Sequence, residues 1–188
     1  MAVADTLAAL QSLIHPHKCQ ASTGGKLSVE EKGRQATLKA VHIASVGAAA
    51  FAIKYDECGF PGTALFAPHD SLHRACDTVA FCEVDGEPFI LCMELKSSEP
   101  TRHDVAEQFR NAHCFLDYLT ALLENYCAGV SIRQWPRRYF VFHNQGAIPL
   151  TKRPSRDVVG NTSPESALFV PVHTGQSIYL RQLLNKPL

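Results

Sequence analysis

Residues 76–96 constrain the fold more than any other stretch: CDTVAFCEV (76–84) and EPFILCMELK (87–96) are two strand-like runs joined by Asp85-Gly86. An Asp-Gly pair between such runs signals a two-residue hairpin, because both central positions of a type I′ turn need positive φ. With those residues at the turn, Val84 faces Glu87, and counting outward sets Asp77 directly opposite Glu94. Opposed residues hold their Cβ atoms about 4.5–5.5 Å apart, so two carboxylates in that relation repel unless something neutralises them. A divalent cation does so, and two converging carboxylates suit the hard ions Mg²⁺ or Mn²⁺. Lys96 lies two residues beyond Glu94, on the same strand face. A metal that polarises a phosphodiester, beside a lysine that orients water or offsets developing charge, implies phosphodiester hydrolysis.

The rest of the chain builds around that hairpin. Ala80, Cys82, Phe89, Leu91 and Met93 form one apolar face, expected to pack on a long helix. Val79, Phe81, Ile90 and Cys92 make the other face apolar too, so the sheet is covered on both sides and the charged trio sits at its rim. Val105, Phe109, Ala112, Leu116, Leu119, Leu123 and Tyr126 recur at spacings of three and four, predicting a helix over 101–126 that ends near Gly129. Phe115 and Leu122 widen its stripe. Upstream, residues 1–14 read as a short amphipathic helix and 18–26 as a loop. Ser28 with Glu31 has capping-box spacing, predicting a helix from 28 to Gly47 with Val29, Leu38, Val41 and Val46 on its apolar face. Strands follow at 48–55, 138–143 and 167–172, breaker-rich loops at 59–62 and 145–160, and a closing helix at 177–184. The expected class is α/β, an α+β arrangement with a central mixed sheet flanked by helices.

Composition limits the alternatives. The chain has 188 residues, 46% hydrophobic and 19% charged, which suits one globular domain. That domain divides into an N-terminal helix and loop (1–27), a core (28–143) and a C-terminal extension (144–188). Eighteen Lys plus Arg balance eighteen Asp plus Glu, so no global positive field draws the protein to nucleic acid or anionic lipid. Seven cysteines with no Cys-x-x-Cys pair point to a reduced, cytoplasmic setting and leave His15, His17 and Cys19 short of a zinc site. The first residues lack a basic n-region, and the longest apolar run, 46–53, is too short to span a bilayer.

With Asp77 on one strand, Glu94-Leu95-Lys96 on the next and a helix after it, residues 28–143 resemble the PD-(D/E)XK nuclease superfamily. The resemblance implies a restriction-endonuclease-like αβββαβ core, a metal held at Asp77, Glu94 and Leu95, and catalysis by Asp77, Glu94 and Lys96 with Gln108 shaping the site. Cys76 stands where the name-giving proline would be. The recombination branch has Tyr four residues after the Gln, and here that position is Ala112. Some members add a metal-binding Glu from the first helix, which Glu30 or Glu31 could supply; either also suits a helix N-terminus.

The implied activity is a Mg²⁺-dependent nuclease acting on DNA, RNA not being excluded, in restriction, phage defence, recombination or repair. Trp135, Pro136, Arg137 and Arg138, and Lys152, Arg153 and Arg156, form two modest basic patches that could meet backbone phosphates, with Trp135 as a stacking surface. His69 and His73 precede the Asp strand and could contact phosphate, whereas Glu83 reads as surface. Zero net charge implies weak DNA affinity for a lone monomer and help from a homodimer or partner subunit. Two other readings compete: a catalytically silent module of the same fold serving a larger complex, and a scaffold whose long helix docks a partner.

Overall fold

The computed structural model describes residues 2–31, 33–55, 74–144 and 160–184. Along them lie α1 (Val3–Ser12), β1 (Cys19–Ala21), β2 (Lys26–Glu30), β3 (Ala40–Ala44), β4 (Phe51–Lys54), β5 (Thr78–Val84), β6 (Glu87–Lys96), α2 (Arg102–Tyr126), β7 (Arg137–Asn144), β8 (Leu168–Val172), β9 (Gln176–Tyr179) and α3 (Leu180–Leu183). A six-stranded mixed sheet runs β1-β4-β5-β6-β7-β8, and a second sheet runs β2-β3-β9. In the large sheet β1, β4, β5 and β6 are antiparallel neighbours, while β6, β7 and β8 are parallel. Parallel neighbours cannot be joined by a tight turn, and α2 makes the crossover from β6 to β7.

The hairpin forms in the expected register, from Val84 opposite Glu87 to Thr78 opposite Met93. Asp85 (φ 57°) and Gly86 (φ 79°) both take the left-handed conformation that a type I′ turn needs. The long helix also forms where its apolar spacing places it. Thr101 caps it, its Oγ1 accepting from the Asp104 N–H, and Val105, Phe109, Ala112, Phe115, Leu116, Leu119 and Leu123 are buried.

The two faces of the large sheet are covered differently from expectation. Phe51, Ile53, Val79, Phe81, Ile90, Cys92, Tyr139 and Val141 form one core with Leu7 and Leu10 of α1 and the apolar stripe of α2. Ala80, Cys82, Phe89, Leu91 and Met93, expected against the long helix, instead meet Leu27, Val29, Val41, Ile43 and Ile178 of the second sheet. Helices therefore flank one face, and a three-stranded sheet with the single turn of α3 covers the other. Period-two alternation cannot say which of two apolar faces a helix takes.

One predicted helix is a pair of strands, and another begins as a strand. Residues 28–47 form β2, a loop and β3, where Leu27 and Val29, then Val41 and Ile43, are buried at period two. Ser28 is no cap: its Oγ bonds His42 Nδ1 across the strand pair at 2.9 Å. The helix that precedes β4 and packs on the sheet is α1. At the other end, 177–184 begins as β9, which runs parallel to β3, and only Leu180–Leu183 is helical. The segments set apart as 1–27 and 144–188 thus supply strands to both sheets. The breaker-rich stretches at 59–62 and 145–159 lie outside the described residues.

Thr37, in the loop between β2 and β3, ties that loop to the C-terminal end of the large sheet. Its N–H donates to Ser97 Oγ (2.9 Å), its Oγ1 accepts from Asn144 Nδ2 (3.2 Å), and its carbonyl accepts from Thr174 Oγ1 (2.8 Å).

A Cβ added at Gly86 meets no atom within 4 Å, so the cost of Gly86→Ala is conformational alone. The variant should lose ~1–2 kcal/mol in urea denaturation with an unchanged m value; an unchanged midpoint would show that the turn relaxes to another type.

Candidate active site

Asp77 sits one residue before β5, so the hairpin register continued by one step sets it opposite Glu94. The hydrogen bonds there differ from an ordinary ladder. The Asp77 N–H donates to Glu94 Oε2 at 3.0 Å, and the Leu95 N–H donates to Asp77 Oδ2 at 2.6 Å. Each carboxylate thus takes a main-chain amide of the opposite strand, which draws both side chains inward. Asp77 retains 8% exposure and Glu94 only 2%.

Glu94 Oε1 carries two more partners. Lys96 Nζ lies 2.5 Å away, and Gln108 Nε2 donates to the same oxygen at 2.8 Å. Burial pushes the Glu94 carboxyl above the ordinary carboxylate range; Lys96, Gln108 and the Asp77 amide oppose that rise without cancelling it. Cys76, fully buried beside these groups, has its thiol pushed well up by burial first, then by Cys92 and the two carboxylates, so it stays neutral.

Gln108 is not a solvent-facing helix residue. Its Nε2 also donates to the Ala75 carbonyl at 2.9 Å, so both amide hydrogens are used and the side chain spans from Glu94 to the segment carrying Asp77. Asn111, one turn along α2, donates to the Arg74 carbonyl at 2.7 Å, and Glu107 pairs with Arg74 Nη1 at 3.1 Å. Three α2 side chains therefore hold residues 74–75 in place ahead of Asp77. Sequence reasoning missed Asn111 and Glu107, although their position beside Gln108 at the edge of the apolar stripe is a readable signal.

Other candidates stay outside the group. Glu30 pairs with Lys54 Nζ at 3.0 Å, and Lys54 alternates with Ile53 and Tyr55, whose side chains lie on the α2 side. Glu31 Oε1 accepts the Gly33 N–H at 2.5 Å. Among the described residues no group of three or more His, Cys, Asp or Glu is gathered that could hold an ion. Glu83 is half-buried at the far end of β5. Trp135 packs against the core on the helix side, Arg137 pairs with Asp117 at 2.6 Å, and Arg138 lies over the Phe89 ring at 5.9 Å. That first basic patch is engaged within the chain. His69, His73, Lys152, Arg153 and Arg156 lie outside the described residues.

The donor set fits a hard divalent ion. Two carboxylates meet in a mostly buried site, and Glu94 Oε2 keeps acceptor capacity beyond its one amide partner, so oxygen donors for such an ion are at hand. Leu95 is apolar and 3% exposed, so only its main-chain carbonyl could serve as a ligand.

One further residue belongs to this end of the sheet and was not singled out. His143 pairs in register with Lys96 across β6 and β7, and its Nδ1 is buried with no hydrogen-bond partner.

A folded pKa above the unfolded one favours the protonated form. The Glu94 contribution to stability is therefore complete below the usual Glu pKa and is lost as pH rises through the raised value. In the presence of a chelator, Glu94→Gln should remove that part of the pH dependence, so the variant loses less stability than wild type between acid and neutral pH. Parallel stability curves across that range would show that Glu94 has an ordinary pKa.

Compared with protein-family models, curated proteins and solved structures, the chain matches none.

Proposed function

We propose that the chain is a metal-dependent nuclease that hydrolyses phosphodiester bonds of DNA. The observation that carries this reading is the reciprocal seating of Asp77 and Glu94 on each other's strand, with Lys96 against Glu94 on the same face. Ordinary strand ends do not bury two facing carboxylates, because desolvation is costly and the charges repel. The likeness of Asp77 and Glu94-Leu95-Lys96, with Gln108 on the following helix, to the PD-(D/E)XK pattern supports the same reading.

Asp77, Glu94 and the Leu95 carbonyl are the groups that would hold Mg²⁺ or Mn²⁺. Such an ion supplies charge neutralisation to the phosphoryl group and acidifies water. Lys96 uses one of its three N–H donors on Glu94 and keeps two for a water or a phosphoryl oxygen. Its side chain is 32% exposed, so substrate can reach it. Gln108 is a positioning residue: it holds the Glu94 carboxylate and ties it to the strand that bears Asp77.

DNA is the substrate that the resemblance favours, with a homodimer or partner subunit supplying positive surface that the neutral chain lacks. No helix among the described residues is long and apolar enough to cross a membrane.

The test is cleavage of supercoiled plasmid, single-stranded DNA and RNA with Mg²⁺ or Mn²⁺ and with chelator. Asp77→Asn, Glu94→Gln and Lys96→Met should each lose about 10²–10³-fold in rate, the size of one lost electrostatic stabiliser. Gln108→Ala should lose about 10–100-fold, mainly through weaker metal binding. Circular dichroism checks that all four fold. A folded wild type that cuts no nucleic acid would favour the silent module, and variants that cut as fast as wild type would show that Asp77, Glu94 and Lys96 do not carry the cleavage.

A further inference from the structure

Arg74 lies in the segment that leads to Asp77 and β5, and α2 fixes it at two points. Asn111 Nδ2 donates to its carbonyl at 2.7 Å, and Glu107 Oε2 lies 3.1 Å from its Nη1. The next carbonyl, that of Ala75, accepts from Gln108 Nε2 at 2.9 Å, and the same nitrogen donates to Glu94 Oε1 at 2.8 Å. That oxygen in turn meets Lys96 Nζ at 2.5 Å. A continuous run of contacts therefore joins the two cationic residues, with Gln108 and the Glu94 carboxylate between them.

Both cations reach solvent. The Arg74 side chain is 45% exposed and that of Lys96 32%, whereas that of Glu94 is only 2% exposed. An ion pair as exposed as Arg74 with Glu107 adds little to stability, so it does more to orient the guanidinium than to hold the fold. Arginine carries five N–H donors in a planar fork that matches phosphate oxygens. The contact to Glu107 engages one corner of that fork and leaves the rest for a ligand. Because the segment and the fork are already held, a phosphate that meets them has little left to order.

We propose that Arg74 is a substrate-contacting residue: its guanidinium donates to a phosphate oxygen of the nucleic-acid strand whose phosphodiester lies beside Lys96. The inference rests on the nuclease reading for the identity of the substrate, and it adds a contact which that reading does not contain. Lys96 on one side of Gln108 and Arg74 on the other give the strand two positive contacts. Glu107 fixes the fork and offsets part of its charge.

Removing either partner breaks the pair of Arg74 with Glu107, but the two losses act on a polyanion with opposite signs. Binding is read by fluorescence anisotropy of labelled single-stranded and duplex DNA over a series of low salt concentrations, with Ca²⁺ in place of Mg²⁺ to hold off turnover. Arg74→Gln should weaken binding and reduce the slope of log affinity against log salt by about 0.7 on the single strand and about 0.9 on the duplex, the values for one phosphate contact. In cleavage it should raise KM about tenfold with kcat little changed, the size of one hydrogen bond to a charged group. Arg74→Lys keeps a charge there and should keep the slope. Glu107→Gln should bind as tightly as wild type or tighter, since it removes a negative charge beside the phosphate. Urea denaturation checks that all three variants fold. If Glu107→Gln weakens binding as much as Arg74→Gln does, the pair is structural and the inference falls. If wild type cleaves and Arg74→Gln keeps the wild-type KM and slope, the inference falls and the nuclease reading stands. If wild type cleaves nothing yet binds DNA with a slope that Arg74→Gln reduces, the nuclease reading falls and the phosphate contact stands. A wild type that binds neither DNA at the lowest salt overturns the inference.

Discussion

The end of the large sheet that carries Lys96 depends on two carboxylates taking main-chain amides from each other's segments. At the open end of a hairpin the ladder would normally continue or fray. Here Asp77 and Glu94 substitute side-chain oxygens for main-chain partners, which closes the hairpin and buries two acids together. That closure needs reinforcement, and α2 supplies it. Gln108, Asn111 and the Glu107 ion pair hold residues 74–75, so the approach to Asp77 is fixed by a helix whose own position is set by its packed apolar stripe.

The large sheet can carry such a site because both its faces are sealed. On one side α1 and α2 bury aromatic and aliphatic residues; on the other a second sheet does the same at β spacing. A sheet covered on both faces has its accessible polar groups at strand ends. The C-terminal end of β6 holds Lys96 there, near Asp77, which sits one residue before β5.

The parts of this arrangement that were legible in the sequence are those set by short-range chemistry. Asp85-Gly86 dictates its turn from two residues, and that turn fixes the Asp77 and Glu94 pairing without any knowledge of the rest. The α2 stripe is likewise contained in one segment. Residues 28–47 were not legible, because β3 is held between β2 and β9, and the second pairing joins Val41 to Gln176. Ser28 and Glu31 mimic a capping box locally, while the burial of Val29, Val41 and Ile43 is decided by the distant strand. His143 escaped notice for a related reason: its place in register with Lys96 joins β6 to β7, which are separated in sequence by the whole of α2.

The stitching at Thr37 has a consequence for the order in which the molecule can be completed. The Thr174 hydroxyl bonds the Thr37 carbonyl across 137 residues of sequence, and β9 beside it finishes a sheet begun by β2 and β3. Pairings of that span form late, since loop closure must be met before the contact repays it. During synthesis the hairpin and α2 can associate while β3 still lacks its parallel neighbour. Until β9 pairs with β3 and adds Ile178, the cover that β2 and β3 lay over Ala80, Leu91 and Met93 is incomplete at that edge.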